Sequence, residues 1–187
     1  RTLLVDIDPQ GNATSGLGFA KSDVKNSVYN VMIDDMPVED AVIKTRVENL
    51  DLLPSNIDLA GAEVELVYIK DREHVLKRIL DRARTSYDFI TIDCPPSLGL
   101  LTINALAAAD TVIIPIQSEY YAMEGLSQLM NTIRLVVKHL NSQLKIEGVV
   151  LTMNDNRAVI SRQISAEIKK FFGKRVFDTV IPRNIRL

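Results

Sequence analysis

The sequence predicts a doubly wound α/β fold built on a mostly parallel sheet, and three observations carry that prediction. Short apolar runs recur along the chain, segments with helical periodicity lie between them, and most runs end on a polar residue. The runs are Thr2 to Val5, ending at Asp6; Leu50 to Leu53, stopped by Pro54; and Phe89 to Ile92, ending at Asp93. Thr111 to Ile116 follows, ending at Gln117, then Ile146 to Leu151, ending at Thr152, and Val176 to Ile181, ending at Pro182. β-Branched runs without alternation suit strands buried on both faces of a parallel sheet. Between them, Val75, Leu76, Ile79, Leu80 and Ala83 form one helical stripe. Met123, Leu126, Met130, Ile133, Val137 and Leu140 form a second, and Ile160, Ile164, Ile168 and Phe171 a third.

At 187 residues the chain is long enough for one compact domain with its own core, and residues 1–187 read as a single domain. No internal repeat, low-complexity tract or Pro/Gly/Ser-rich linker argues for another. With 22 basic and 24 acidic side chains the net charge is −2, so any contact with nucleic acid has to come from a local basic patch. A single cysteine, Cys94, excludes an internal disulfide and, with no secretory segment, favours a reducing cytoplasm. No apolar run approaches the roughly 20 residues that span a bilayer. The chain opens with Arg1-Thr2-Leu3-Leu4-Val5, inside what reads as a strand, and stops at Arg186-Leu187, so it reads as a fragment truncated at both ends.

In open α/β sheets ligands bind beyond the carboxyl ends of the strands. Asp6, Asp8 and Asp93 sit at or just past such ends. Sheet stability requires no carboxylate there, and several together repel one another. Magnesium, a hard ion that takes oxygen ligands and keeps several waters, accounts for the grouping. Orientation of an attacking water for in-line phosphoryl transfer is a second use. The plainer alternative is that each Asp caps the following helix or turn. Asp6-Ile7-Asp8-Pro9-Gln10 also resembles the opening of the haloacid-dehalogenase phosphatases. That pattern usually has Thr or Val at the position of Gln10 and a later acidic pair after a Gly, which this chain lacks. A receiver-domain acidic pocket would need a Lys after a later strand, and no clear match exists.

Longer stretches carry a closer resemblance. Val5-Asp6-Ile7-Asp8-Pro9-Gln10-Gly11-Asn12-Ala13-Thr14-Ser15-Gly16-Leu17-Gly18 resembles the second nucleotide-site motif of the ParA/Soj partition ATPases. Tyr87-Asp88-Phe89-Ile90-Thr91-Ile92-Asp93-Cys94-Pro95-Pro96-Ser97 resembles their Walker B strand. The stretch from Pro115 through Tyr120-Tyr121 to Leu126 is similar to a further family segment, and Val180 to Arg186 to the adenine-side loop. The matches run in order over essentially the whole chain. The family are ATPases of the deviant Walker A class, related to MinD and the nitrogenase iron protein. The resemblance implies a P-loop NTPase fold, an ATP-sandwich homodimer, Mg²⁺, non-specific binding to double-stranded DNA, a ParB-like stimulating partner, no membrane, and a cytoplasmic, nucleoid-associated location. It makes Asp8 the residue that positions the attacking water, with Asp6 supporting the Mg²⁺ and phosphate side and Asp93 holding Mg²⁺ through a water. It places Pro182, Arg183 and Asn184 beside the adenine, with Met153 and Asn154 nearby.

The family's Lys-Gly-Gly-Val-Gly-Lys-Thr loop is nowhere in these 187 residues. The resemblance places it before Arg1, in a strand–P-loop–helix unit of roughly 30 residues. That loop supplies the N–H cradle, two lysines and a hydroxyl ligand to Mg²⁺. Losing such preorganised donors costs about 3 kcal/mol each, so this polypeptide alone is expected to be inactive. The rival readings are a MinD-like ATPase that cycles on membrane and a non-catalytic binding or scaffold piece.

The remaining residues read more plainly. Cys94 is a buried structural thiol rather than a nucleophile, since no His lies near it in sequence. His74 and His139 lie on predicted helices without ligand spacing. Gly16 and Gly18 are turn glycines, because the Gly-x-Gly-x-x-Gly spacing is absent. Met123 and Met130 belong to the core, and Tyr120 and Tyr121 to packing at a strand end. Arg157, Arg162, Lys169, Lys170, Lys174 and Arg175 gather around the last predicted helix, either as a solvated face or as a surface for the phosphate backbone of DNA.

Overall fold

All six apolar runs form strands in the computed structural model, which describes residues 1–118, 122–155 and 157–184. Tyr120, Tyr121, Ile185 and Arg186 lie outside the described residues, as does the side chain of Met123. The chain divides into two compact units, Arg1–Ala108 and Ala109–Leu187.

In chain order the first unit comprises β1 (Thr2–Asp6), α1 (Asn12–Gly16), α2 (Val28–Ile33), α3 (Val38–Ala41), β2 (Ile43–Lys44), β3 (Leu50–Leu53), α4 (Leu59–Glu65), α5 (Val75–Ala83), β4 (Phe89–Asp93) and α6 (Leu100–Ala108). Strand order is β2-β3-β1-β4, with β1 parallel to both β3 and β4. The core gathers Leu3, Val5 and Ile7 with Leu53, Leu59, Leu66, Leu76 and Leu101, all essentially inaccessible to solvent. Each such side chain contributes about 1.5–3 kcal/mol of burial. β2 has no counterpart in the apolar pattern: it is two residues long and antiparallel, held by Ile43 against Leu52 and Lys44 against Asp51.

Burial on both faces holds for the central strand β1 but not for β4, whose residues alternate and whose Phe89 is 70% exposed. β4 is also the outer strand of its sheet, with one edge unpaired among the described residues.

The second unit runs β5 (Thr111–Gln117), α7 (Ala122–His139), β6 (Lys145–Asn154), α8 (Val159–Phe172) and β7 (Val176–Pro182). Its strands are parallel, with β6 in the middle. In α7 the predicted stripe buries Leu126 and Ile133, with Val136 added. In α8 the stripe is turned by one position. Ser161, Ile164, Ile168 and Phe172 are buried, whereas Ile160 and Phe171 face solvent. A hydrogen bond explains the turn: the Ser161 hydroxyl donates to Asn154 Oδ1 at 2.9 Å, drawing a polar residue into the seam.

Candidate active site

Parallel pairing of β1 with β4 sets Asp6 directly beside Asp93, each the last residue of its strand. Asp8 follows two residues later. There the chain turns: Gln10 N–H donates to Asp8 Oδ1 at 2.9 Å, and Gly11 N–H to the Asp8 carbonyl at 2.8 Å. Gly11 has φ +58°, a left-handed conformation that glycine adopts at the least cost.

Asp6 is fully buried and faces inward. Its Oδ2 accepts from Thr14 N–H at 2.8 Å and Thr14 Oγ1 at 2.7 Å, and its Oδ1 from Asp8 N–H at 3.2 Å. Thr14 Oγ1 accepts in turn from Ser55 N–H at 3.0 Å, so the loops after β1 and β3 are fastened to one carboxylate. This is the capping role left open by the sequence, and it leaves Asp6 as the frame behind the other two. Asp8 is also buried, with one oxygen committed to the turn.

Asp93 differs from both. It is solvent-facing, and its side chain makes no hydrogen bond or ion pair among the described residues. Burial of one side of the group, then the charges of Asp6 and Asp8, raise its carboxyl above the ordinary value. The same neighbourhood pushes the Cys94 thiol up to about 12, through burial first and then Asp93 and Asp8, which leaves it unreactive at neutral pH. Three carboxylates therefore share one end of the sheet. Among the described residues no group of three or more His, Cys, Asp or Glu side chains is placed to hold a metal by direct ligation. A cation that keeps most of its waters, as magnesium does, fits such a cluster.

In the second unit the ends of β6 and β7 meet. Asn154 pairs with Pro182, and Arg183 N–H donates to the Asn154 carbonyl at 3.2 Å. Met153 sits at φ +50°, a conformation that costs a non-glycine residue about 1 kcal/mol or more. Behind it, Asn154 Oδ1 accepts from Ser161 and Ser165, and Ser165 lies 3.2 Å from Ser118. Met153, Asn154, Pro182 and Arg183 thus form one corner, with Asn184 next in sequence. The hydroxyls of Thr14, Ser161 and Ser165 that set these geometries carried no signal in the sequence beyond being hydroxyls.

Arg157, Arg162, Lys169, Lys170, Lys174 and Arg175 are all exposed. Arg157 is engaged with Asp155 at 3.1 Å, a hydrogen bond that lowers the Asp155 carboxyl. His74 Nδ1 lies 2.8 Å from Asp71, and among the described residues no metal grouping includes it or His139.

Residues 1–146 match the AAA domain family profile, AAA_31. Over all 187 residues the chain is 62% identical to the sporulation initiation inhibitor protein Soj of Bacillus subtilis and spans 74% of that protein. It is 46% identical to the chromosome partitioning protein ParA of Caulobacter vibrioides, covering 100% of this chain and 71% of that one. Cobyrinic acid a,c-diamide synthase from Mycobacterium smegmatis, solved with a bound ATP analog and magnesium, is similar with a TM-score of 0.91 at 41% identity, covering 98% of this chain and 75% of that one. A plasmid partition protein from Borrelia burgdorferi is similar with a TM-score of 0.82 at 27% identity, covering 100% and 78%.

Proposed function

The chain belongs to the ParA/Soj family of chromosome-partitioning ATPases, and from that premise we propose that its acidic strand ends serve hydrolysis of ATP to ADP and phosphate. The observation that supports this best is the meeting of Asp6, Asp8 and Asp93, with the Asp93 carboxyl held high by burial and by the other two charges. Such crowding burdens a fold and suits a dication.

ATP and Mg²⁺ are the cofactors in this reading. The metal, when bound, neutralises charge on the transferring phosphate. Asp93, facing solvent with no protein donor, would hold the metal through a water. Asp8, with Oδ1 fixed by Gln10 N–H, orients the attacking water with its other oxygen. Asp6 holds the Asp8 backbone and α1 in register and so supports the metal and phosphate side. Met153, Asn154, Pro182, Arg183 and Asn184 border the adenine. The phosphate cradle in this reading is the family's Lys-Gly-Gly-Val-Gly-Lys-Thr loop, which is not among residues 1–187.

The whole protein then works as an ATP-sandwich dimer switched on and off non-specific DNA in the cytoplasm, stimulated by a ParB-like partner. The exposed basic residues of and beside α8 supply its DNA surface. The amide synthase neighbour carries a different activity name, but relatives at 52% and 46% identity carry the chromosome-partitioning name. The test is steady-state ATP turnover by the full-length protein with duplex DNA and a ParB-type partner present. Asp8→Ala should lower turnover by about 10²- to 10³-fold, with a modest fall in thermal midpoint because Gln10 N–H loses its acceptor. Undiminished turnover in that variant, or none in the wild type, would contradict the reading.

A further inference from the structure

Met153 breaks the alternation of β6. Val149 and Leu151 are buried, so residue 153 should follow them inward and residue 154 should turn out. The reverse is found: Met153 is 37% exposed and Asn154 only 9%. The left-handed backbone of Met153, at φ +50°, makes the exchange. The ladder to β7 carries the same irregularity. Leu151 pairs with Val180 and Asn154 with Pro182, three steps along β6 against two along β7. An extra residue of this kind re-aims a side chain, and such bulges gather beside functional sites. A methionine gains nothing from a left-handed backbone, so the surrounding structure must hold it there.

Asn154 supplies the hold. Its Oδ1 accepts from the hydroxyls of Ser161 at 2.9 Å and Ser165 at 3.3 Å, both on α8. Two donors fill the two lone pairs of an amide oxygen. Each serine hydroxyl has one hydrogen, and that of Ser165 is spent on Asn154. The 3.2 Å contact between Ser118 and Ser165 therefore has Ser118 as its donor. The bonds run from the end of β5, through α8, to the end of β6, and Ser118, Asn154 and Ser161 are all buried. If Met153 relaxed to extended backbone, alternation would carry Asn154 outward and leave the Ser161 hydroxyl buried without its acceptor. Bulge and bonds stand or fall together.

A strand end shaped for stability alone would bury the methionine and leave the asparagine in water. Here the amide is buried and the apolar side chain is delivered to the surface, beside Pro182 and Arg183. We propose that Ser161 and Ser165, braced by Ser118, are positioning residues that hold the Met153 bulge so that its thioether meets the adenine of ATP. This rests on the base-side reading of the corner given above. A flexible, polarisable thioether suits the flat face or edge of an aromatic base. The serines act through Met153 and so bear on the base, not on the phosphates.

Two measurements on the full-length protein separate the serine lock from that reading. Without nucleotide, NMR backbone shifts should report a left-handed Met153 in the wild type and a move toward extended values in Ser161→Ala. Ser165→Ala, at the less buried hydroxyl, should move them the same way by less, and it carries the test if Ser161→Ala does not fold. Wild-type Met153 shifts in the folded variants would overturn the lock. With Mg²⁺, binding of ATP is then compared with binding of inorganic tripolyphosphate, which lacks the base. The variants should lose about 5- to 30-fold in ATP affinity, with a matching rise in KM. Their kcat should stay within a few-fold, and their tripolyphosphate affinity should not change. Equal losses for the two ligands, or no loss for ATP, would overturn the positioning role. A wild type that binds ATP no better than tripolyphosphate would instead remove the adenine from this corner, with the Met153 shifts still deciding whether the lock exists.

Discussion

Two carboxylates mark opposite ends of the first sheet, and the protein treats them in opposite ways. Toward the amino ends, Asp51 of β3 is buried, and burial alone would push its carboxyl up. Lys44 Nζ and Arg1 Nη2 each donate to its Oδ2 at 2.7 Å and the Tyr87 hydroxyl at 2.9 Å, which together hold it below the ordinary value. The Arg1 guanidinium also lies over the Tyr87 ring, 4.8 Å from its centre. At the carboxyl ends, Asp93 faces two further carboxylates and pairs with no cation among the described residues. A fold shaped for stability alone would finish both ends as it finishes Asp51. The end left unbalanced is the one at which we propose that a cation binds.

Four substitutions sharpen that contrast, beginning with the hundredfold or greater loss of turnover expected for Asp8→Ala. Asp6→Ala should show the largest effect on stability. It strips the acceptor from three buried donors, at about 3–5 kcal/mol, and urea unfolding of the nucleotide-free protein would show it. A loss under 1 kcal/mol would mean that Asp6 is not the frame of the site.

Asp51→Asn should cost about 1–3 kcal/mol at pH 7, since its partners are themselves partly exposed. A lowered carboxyl contributes stability that is fully present above the unfolded value of 3.8 and is lost as pH falls through the lower folded value. The gap between variant and wild type should therefore close in acid, and a gap independent of pH would show that the shift is absent.

Asp93→Asn should move stability the other way, and least. A raised carboxyl destabilises the fold above its folded value and not below the unfolded one. The variant should melt about 1–2 °C higher than wild type at neutral pH, with no difference in acid. A lower melting point would mean that Asp93 has a stabilising partner.

Much of this was legible in the sequence, for physical reasons that differ by element. The strands of the parallel sheets were visible because short apolar runs bounded by polar residues or proline leave few alternatives, and the three aspartates because each stands at or just past the end of such a run. β2 was invisible: two residues carry no periodicity. α6, Leu-Leu-Thr-Ile-Asn-Ala-Leu-Ala-Ala, buries seven of its nine residues and so shows no stripe. The one-position turn of α8 depends on Ser161 reaching Asn154, a contact between elements that no local pattern encodes. The same holds for Asp6, whose inward orientation is fixed by Thr14 and Asp8. Sequence reveals which groups are chemically expensive; the fold decides which of them have been compensated.

The most direct test is the titration of the Asp93 carboxyl by carbon-detected NMR in the full-length protein, without and with Mg²⁺ and a non-hydrolysable ATP analogue. The expected result is a midpoint above the ordinary value of 3.8 in the free protein and a clear fall when the cation arrives. A midpoint at or below the ordinary value, unmoved by magnesium and nucleotide, would contradict the claim that these three carboxylates form an unbalanced site awaiting a cation.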